Sequence, residues 1–77
     1  MPRTRDHQVI RAWIERRGGK PARVRGTTDL LRVSFGRSPR TLEEISWEEF
    51  FRSFDRNQLL FVYEEDEDSR FSKFVRN

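Results

Sequence analysis

The segment at residues 45–54 constrains the fold most, because it combines a helix start signal with an aromatic face. Ser46 and Glu49 form a capping box, in which the Ser46 hydroxyl accepts from the Glu49 amide and the Glu49 carboxylate reaches back to the Ser46 amide. Four aromatic residues follow at helical spacing: Trp47, Phe50, Phe51 and Phe54. This pattern predicts a helix whose aromatic face is buried in the core. The alternative is that the face forms a partner-binding groove or a base-stacking surface.

A second amphipathic helix is predicted at the start of the chain. Asp6, or Thr4 before it, can cap a helix that runs to about Arg17, with apolar residues at helical spacing. Gly18 and Gly19 follow it, as expected for residues that end a helix in the left-handed conformation.

The remaining elements are predicted to be strands. Residues 22–25 and 31–35 alternate apolar and polar side chains around a turn at 26–29, which favours an antiparallel hairpin. Residues 59–63 are apolar on both faces and rich in strand formers, so we expect a central strand. Residues 41–44 resemble a single helical turn. Residues 69–75 are predicted to form a short closing helix, and the alternative is a fourth strand that pairs with residues 59–64.

These elements predict one α+β domain covering residues 1–77, in the order αββαβ, with both helices on one face of a mixed sheet. Residues 22–24 are expected to lie at an exposed sheet edge, and residues 1–5 are expected to be disordered. Ten aromatic side chains among the 77 residues would supply most of the small core.

Composition excludes several classes of protein. The chain has no cysteine, so it has neither disulfides nor thiolate zinc sites, as is usual inside the cell. No apolar run approaches the ~20 residues that span a bilayer, and the amino terminus is arginine-rich without a signal-peptide core. We therefore expect a cytoplasmic protein without a membrane partner, and a monomer by default.

Charge is distributed very unevenly along the chain. Residues 1–40 hold 11 Lys and Arg against 3 Asp and Glu, whereas residues 41–77 hold 5 against 10. A crowded basic segment is the expected footprint of a nucleic-acid contact, although the same side chains could pair with the acidic half. The candidate contacts for an anion or nucleic acid are Arg3, Arg5, Arg11, Arg16, Arg17, Lys20, Arg23 and Arg25.

No catalytic, cofactor or metal site is predicted. His7 is the only histidine and borders the apolar face of the first helix, so a packed or capping role is favoured over a catalytic base. The acidic run at 64–68 lacks the spacing and the glycine of an EF-hand loop and is interpreted as a solvated turn.

Several segments together resemble a group of short bacterial proteins of unknown function. They are Arg17-Gly-Gly-Lys-Pro-Ala22, Leu42-Glu-Glu-Ile-Ser-Trp-Glu-Glu-Phe-Phe51 and Ser69-Arg-Phe-Ser-Lys-Phe-Val75. The resemblance covers nearly the whole chain, although members often carry a longer Gly/Asp-rich segment after the Gly26-Thr27 pair. It implies a cytoplasmic bacterial setting and no known mechanism.

A glucan-branching-enzyme label sometimes attached to this group is rejected, because a (β/α)₈ barrel needs about 250 residues. We expect a small non-enzymatic interaction module with an unknown protein partner. The alternative is weak, sequence-tolerant nucleic-acid binding through the basic first third.

Overall fold

The structure, a computed structural model that describes residues 1–76, is an α+β domain with two helices and two three-stranded antiparallel sheets. The first half contains β1 (Arg3–Thr4), α1 (His7–Arg16), β2 (Gly19–Val24) and β3 (Leu31–Phe35). The second half contains β4 (Leu42–Glu44), α2 (Trp47–Arg56), β5 (Leu59–Tyr63) and β6 (Ser72–Arg76). The predicted fold class is confirmed, and the predicted αββαβ elements occur in that order.

The two halves share the element order βαββ and exchange their first strands. The sheets have the strand orders β3-β2-β4 and β1-β5-β6, so each hairpin receives its third strand from the other half of the chain. All four strand pairings are antiparallel. The expectation of a single mixed sheet is therefore wrong, because β2 and β5 belong to different sheets.

Three local predictions are also wrong. Residues 41–44 form strand β4 instead of a helical turn, because Leu42, Glu43 and Glu44 pair with β2. This pairing makes β2 the central strand, so residues 22–24 are not an exposed edge. Residues 1–5, expected to be disordered, include β1, whose Arg3 lies opposite Val62 of β5.

The expected closing helix at residues 69–75 is wrong, and the alternative of a strand is correct, because Ser72–Arg76 form β6. Phe74 lies opposite Phe61 in the β5–β6 pair, and the partly buried Phe74 ring packs against the central cluster that contains Phe61. The side chains of β6 therefore follow a period of two along the sheet, which a helix could not maintain. β5 is the central strand of its sheet, as predicted.

The core lies between the helices and the sheets. Ile10 and Ile14 of α1 and Phe50 and Phe54 of α2 are fully buried, and they pack with Phe61 and with Leu31, Trp13 and Leu59 in one cluster. Both helices begin at a side-chain cap: Asp6 accepts from the Gln8 and Val9 amides, and Ser46 accepts from the Glu49 amide. The two predicted helix starts are thus confirmed.

Each helix ends at a residue in the left-handed conformation, Gly18 with φ 71° and Gln58 with φ 53°. The chain then turns directly into β2 or β5. At Gly19 a Cβ atom would lie 2.9 Å from side-chain atoms of Ile14, Val33 and Phe35, so only glycine lets the strand approach α1 this closely.

Candidate functional site

A groove between α1 and α2 holds the most unusual side-chain arrangement of the described residues. We call it the helix groove; it has a volume of about 490 Å³. His7 and Arg11 of α1 line one side, and Trp47, Phe51, Arg52 and Asp55 of α2 line the other. Its residues come from the helix starts and from the outer part of the predicted aromatic face.

Three rings stack in a row along this groove. The His7 ring lies parallel to Phe51, with ring centroids 4.1 Å apart, and Phe51 stacks on Trp47 with centroids 5.5 Å apart. The Arg11 guanidinium lies 5.2 Å from the centroid of the Trp47 ring. Trp47 and Phe51 are half-buried, unlike the fully buried Phe50 and Phe54. The prediction of a wholly buried aromatic face is thus confirmed for its inner two rings only.

His7 also links the two helices through a polar contact. Its Nε2 lies 2.8 Å from Oδ1 of Asp55, and the two side chains are 43% and 58% exposed. No hydroxyl of residues 1–76 is hydrogen-bonded to His7, so a nucleophile to complete a catalytic dyad is not placed beside it. The arrangement fits the packed role expected for His7.

The charged side chains at the rim of the helix groove are balanced. Arg52 lies 3.5 Å from Glu48, and Arg11 lies 3.2 Å from Glu15, each pair one helical turn apart. Exposed pairs of this kind contribute only a few tenths of a kcal/mol to stability. The rim is therefore polar without a strong net charge, and the rings provide its apolar centre.

The eight predicted basic contact residues differ in their surroundings. Arg17 is only 8% exposed, and its guanidinium donates to five backbone carbonyls, those of Trp13, Glu64, Glu65, Asp66 and Ser69. It lies over the Trp13 ring and anchors the acidic turn through the main chain. This side chain holds the fold together and is not presented to a ligand.

Arg23 and Arg25 are also engaged within the protein. The Arg23 guanidinium binds the carboxylates of Glu43, at 3.1 Å, and Glu49, at 2.6 Å. The hydrogen bond to Glu43 and the negative charge of Glu49 raise the pKa of Arg23. The Glu49 carboxylate of the capping box therefore points to β2, and only the Ser46 half of the box is observed.

The Arg25 side chain donates to the carbonyls of Arg40 and Leu42, so it joins β2 to the segment before β4. The other basic residues of the predicted set are exposed. Arg5, Arg11 and Arg16 line three different grooves, and Arg3 and Lys20 lie on β1 and β2, in different sheets.

Sequence reasoning favoured core packing for the whole aromatic face and kept a partner-binding groove as the alternative; it placed His7 at the border of α1 and did not bring it beside Phe51. The available signal was the register of the two helices: His7 and Trp47 are both the first residues of their helices, and each follows a capping residue. Because the two residues hold equivalent positions, His7 lies near Trp47 and Phe51 when the two helices pack side by side. The pattern of a single helix does not reveal how it packs against another.

Within residues 1–76, no group of three His, Cys, Asp or Glu side chains is placed to bind a metal ion. Neither helix in that part of the chain is long and apolar enough to cross a bilayer. Comparisons with protein-family models, with curated proteins and with solved structures found no match for this chain, so the resemblance to short bacterial proteins stays a prediction.

Proposed function

We propose that this chain is a small, non-enzymatic protein-binding module whose docking surface is the helix groove. The observation that carries the proposal is the row of His7, Phe51 and Trp47 rings, which stack on one another and are partly exposed to solvent. Aromatic side chains of this kind dominate the binding energy of protein interfaces, because they bury a large apolar area with little loss of side-chain entropy.

The shape of the groove favours one class of partner. A cleft between two helices, with an apolar floor and a polar rim, is suited to a short amphipathic segment that inserts one or two apolar side chains. The volume of about 490 Å³ leaves room for such side chains. The balanced rim pairs can then reorient toward polar groups of the partner, which gives specificity more than affinity.

The rings are also held in place before any partner arrives. The His7–Asp55 contact and the Arg11–Trp47 contact join the two helices across the groove. A preformed site loses less conformational entropy on binding than a mobile one. We place this activity in the cytoplasm of a bacterial cell and assign it to the monomer; the cysteine-free composition supports the intracellular setting.

Site-specific photocrosslinking tests the proposal. A photoreactive amino acid replaces Gln8, an exposed residue that lines the helix groove, in cells of the source organism. The matched control carries the same amino acid at Thr28, an exposed residue of the turn between β2 and β3. We expect a discrete crosslinked partner at position 8 that is absent at position 28.

A second change links that partner to the rim of the groove. Arg52→Glu reverses an exposed charge beside the rings and leaves the buried aromatic side chains intact. It should reduce the crosslink at position 8 several-fold while the circular dichroism spectrum stays the same. Identical crosslinking patterns at positions 8 and 28 would contradict the proposal.

A further inference from the structure

A second groove lies between the edges of two strands, and its charged side chains are all basic. β3 and β6 are each the outermost strand of their sheet. Together they line a groove of about 310 Å³ to which Arg32, Arg70 and Lys73 contribute the charged side chains. We call this the basic groove. None of its lining residues is acidic, which distinguishes it from the balanced helix groove.

The three cations are not neutralised by the rest of the described chain. Within residues 1–76, none of them lies within salt-bridge distance of a carboxylate; the six pairs found there involve other residues. Arg32 donates to the carbonyl of its neighbour Leu31, and Arg70 lies over the Phe35 ring at 5.2 Å. The charges of the basic groove are therefore available to an anion from outside.

Aromatic side chains accompany these cations. Phe35 and Phe74 form part of the wall, and Phe71, next to Arg70 in the chain, is 51% exposed. The Phe71 ring is therefore accessible beside the basic groove, although it is not one of the lining residues. Cations that contact phosphates, combined with rings on which bases stack, are the two features by which proteins hold single strands of nucleic acid.

We propose that the basic groove binds the backbone of single-stranded nucleic acid, with Arg32, Arg70 and Lys73 contacting phosphates and Phe71 stacking on a base. A single strand fits better than a duplex because the site is a concavity, whereas duplex readers insert a protruding helix or ribbon into a groove of the nucleic acid. The proposed contacts are to phosphates and to the face of one base, so we expect little sequence preference.

This site differs from the predicted basic first third. Of its three cations only Arg32 lies in the basic half of the sequence, and none belongs to the set from Arg3 to Arg25. The fold brings Arg70 and Lys73, from the acidic half, to the side of Arg32. Binding through the basic groove and binding through the first third therefore make different predictions for substitutions.

Fluorescence anisotropy of the full chain tests the proposal with a fluorescein-labelled oligothymidylate of about 15 nucleotides, since single-strand sites span about 4–16 nucleotides. The key pair of variants is Lys73→Glu and Lys20→Glu. Both residues are exposed on strands, and both changes alter the net charge equally, but only Lys73 lines the basic groove. Lys73→Glu should weaken binding about tenfold, whereas Lys20→Glu should weaken it less than about twofold.

The salt dependence gives a second readout. Three phosphate contacts predict a slope of about −2 for log K against log salt, because each contact to a single strand contributes about −0.7. Arg70→Gln removes one contact without reversing a charge, and it should reduce the steepness by about 0.7. Circular dichroism confirms that each variant is folded before its affinity is compared.

Three outcomes would overturn the proposal: no binding of the single strand at low salt, equal losses for Lys73→Glu and Lys20→Glu, or tighter binding of a duplex of the same length. Nucleic-acid binding by the basic groove is tested separately from protein binding by the helix groove. Arg52→Glu should impair crosslinking to a protein partner, yet it leaves the Arg70 and Lys73 contacts in place. Unchanged single-strand affinity for Arg52→Glu and lost affinity for Lys73→Glu would separate the two sites.

Discussion

The Arg17 side chain donates hydrogen bonds to several backbone carbonyls of one turn. The turn between β5 and β6 carries the run of acidic residues at 64–68, and the guanidinium binds this segment through main-chain carbonyls instead of carboxylates. The Trp13 indole adds a hydrogen bond of 2.7 Å to the Glu64 carbonyl. A charge that looked like a ligand contact in the sequence is therefore part of the folded framework.

Arg17→Ala should destabilise the protein by about 3 kcal/mol, because it leaves several partly buried carbonyls without a donor. Urea denaturation monitored by Trp fluorescence measures the change. Arg16→Ala is the matched control, since Arg16 is the exposed neighbour and makes no hydrogen bond with its side chain in residues 1–76; its effect should stay within about 0.5 kcal/mol. Equal losses for the two variants would show that the carbonyl contacts contribute little.

Among the elements, the turn between β2 and β3 is tied to α2 by one carboxylate. Asp29 accepts a hydrogen bond of 2.8 Å from the Ser53 hydroxyl and forms an ion pair with Arg56. Ser53 is almost completely buried on the helix face. The hydrogen bond from Ser53 and then the Arg56 guanidinium hold the pKa of the Asp29 carboxyl below its usual value.

This shift predicts a defined pH dependence of stability. A carboxyl whose pKa is lower in the folded state stabilises the protein above its unfolded pKa, about 3.9 for aspartate, and this contribution is lost as the pH falls through the folded pKa. The stability difference between the wild type and Asp29→Asn should be constant above about pH 5 and should narrow below about pH 4. Denaturation at a series of pH values measures it.

Asp68→Asn, in the turn between β5 and β6, controls for the loss of one negative charge. The stability difference between the wild type and Asp29→Asn could instead keep its full size at the lowest pH at which the protein is folded. In that case ionisation of Asp29 would not be the cause of the stability difference.

The elements differ in how far the sequence predicts them. Both helices follow from their caps and their apolar faces, because these signals lie within one segment. Strands β1 and β4 are only two and three residues long and show no period of two, and each is defined by pairing with the other half of the chain. Tertiary context of this kind decides strand formation, and a local pattern does not contain it.

Tertiary context also explains why the predicted basic contacts differ from the grooves found in the structure. The basic first third was visible as a run of like charges, but the fold uses Arg17, Arg23 and Arg25 for internal contacts. The helix groove and the basic groove each combine residues from both halves of the chain, which lie far apart in the sequence and meet only in the folded domain. Chemistry that depends on distant segments was therefore outside the reach of spacing arguments.

For the whole molecule, the exchange of first strands makes the two βαββ halves dependent on each other. β1 and β6 both flank β5, where Arg3 lies opposite Val62 and Arg76 lies opposite Leu59. Three residues along a strand and two strand spacings separate Arg3 from Arg76, which amounts to about 14 Å. A flexible linker of about six Gly and Ser residues, together with residues 1, 2 and 77, covers the distance from Arg76 to Arg3.

This geometry predicts that a circular permutant will fold. In it the linker joins the two chain ends, and new ends are opened between Gly36 and Arg37, which are exposed in the connection from β3 to β4. The order of the halves is reversed, but every strand keeps its partner, so the permutant should unfold cooperatively with a stability within about 2 kcal/mol of the original chain.

A permutant opened between Leu60 and Phe61 is the control, because that cut divides the central strand of a sheet and should abolish folding. Thermal denaturation followed by circular dichroism compares them. Loss of folding in both permutants would contradict the prediction, because it would mean that the domain needs the native connection from β3 to β4.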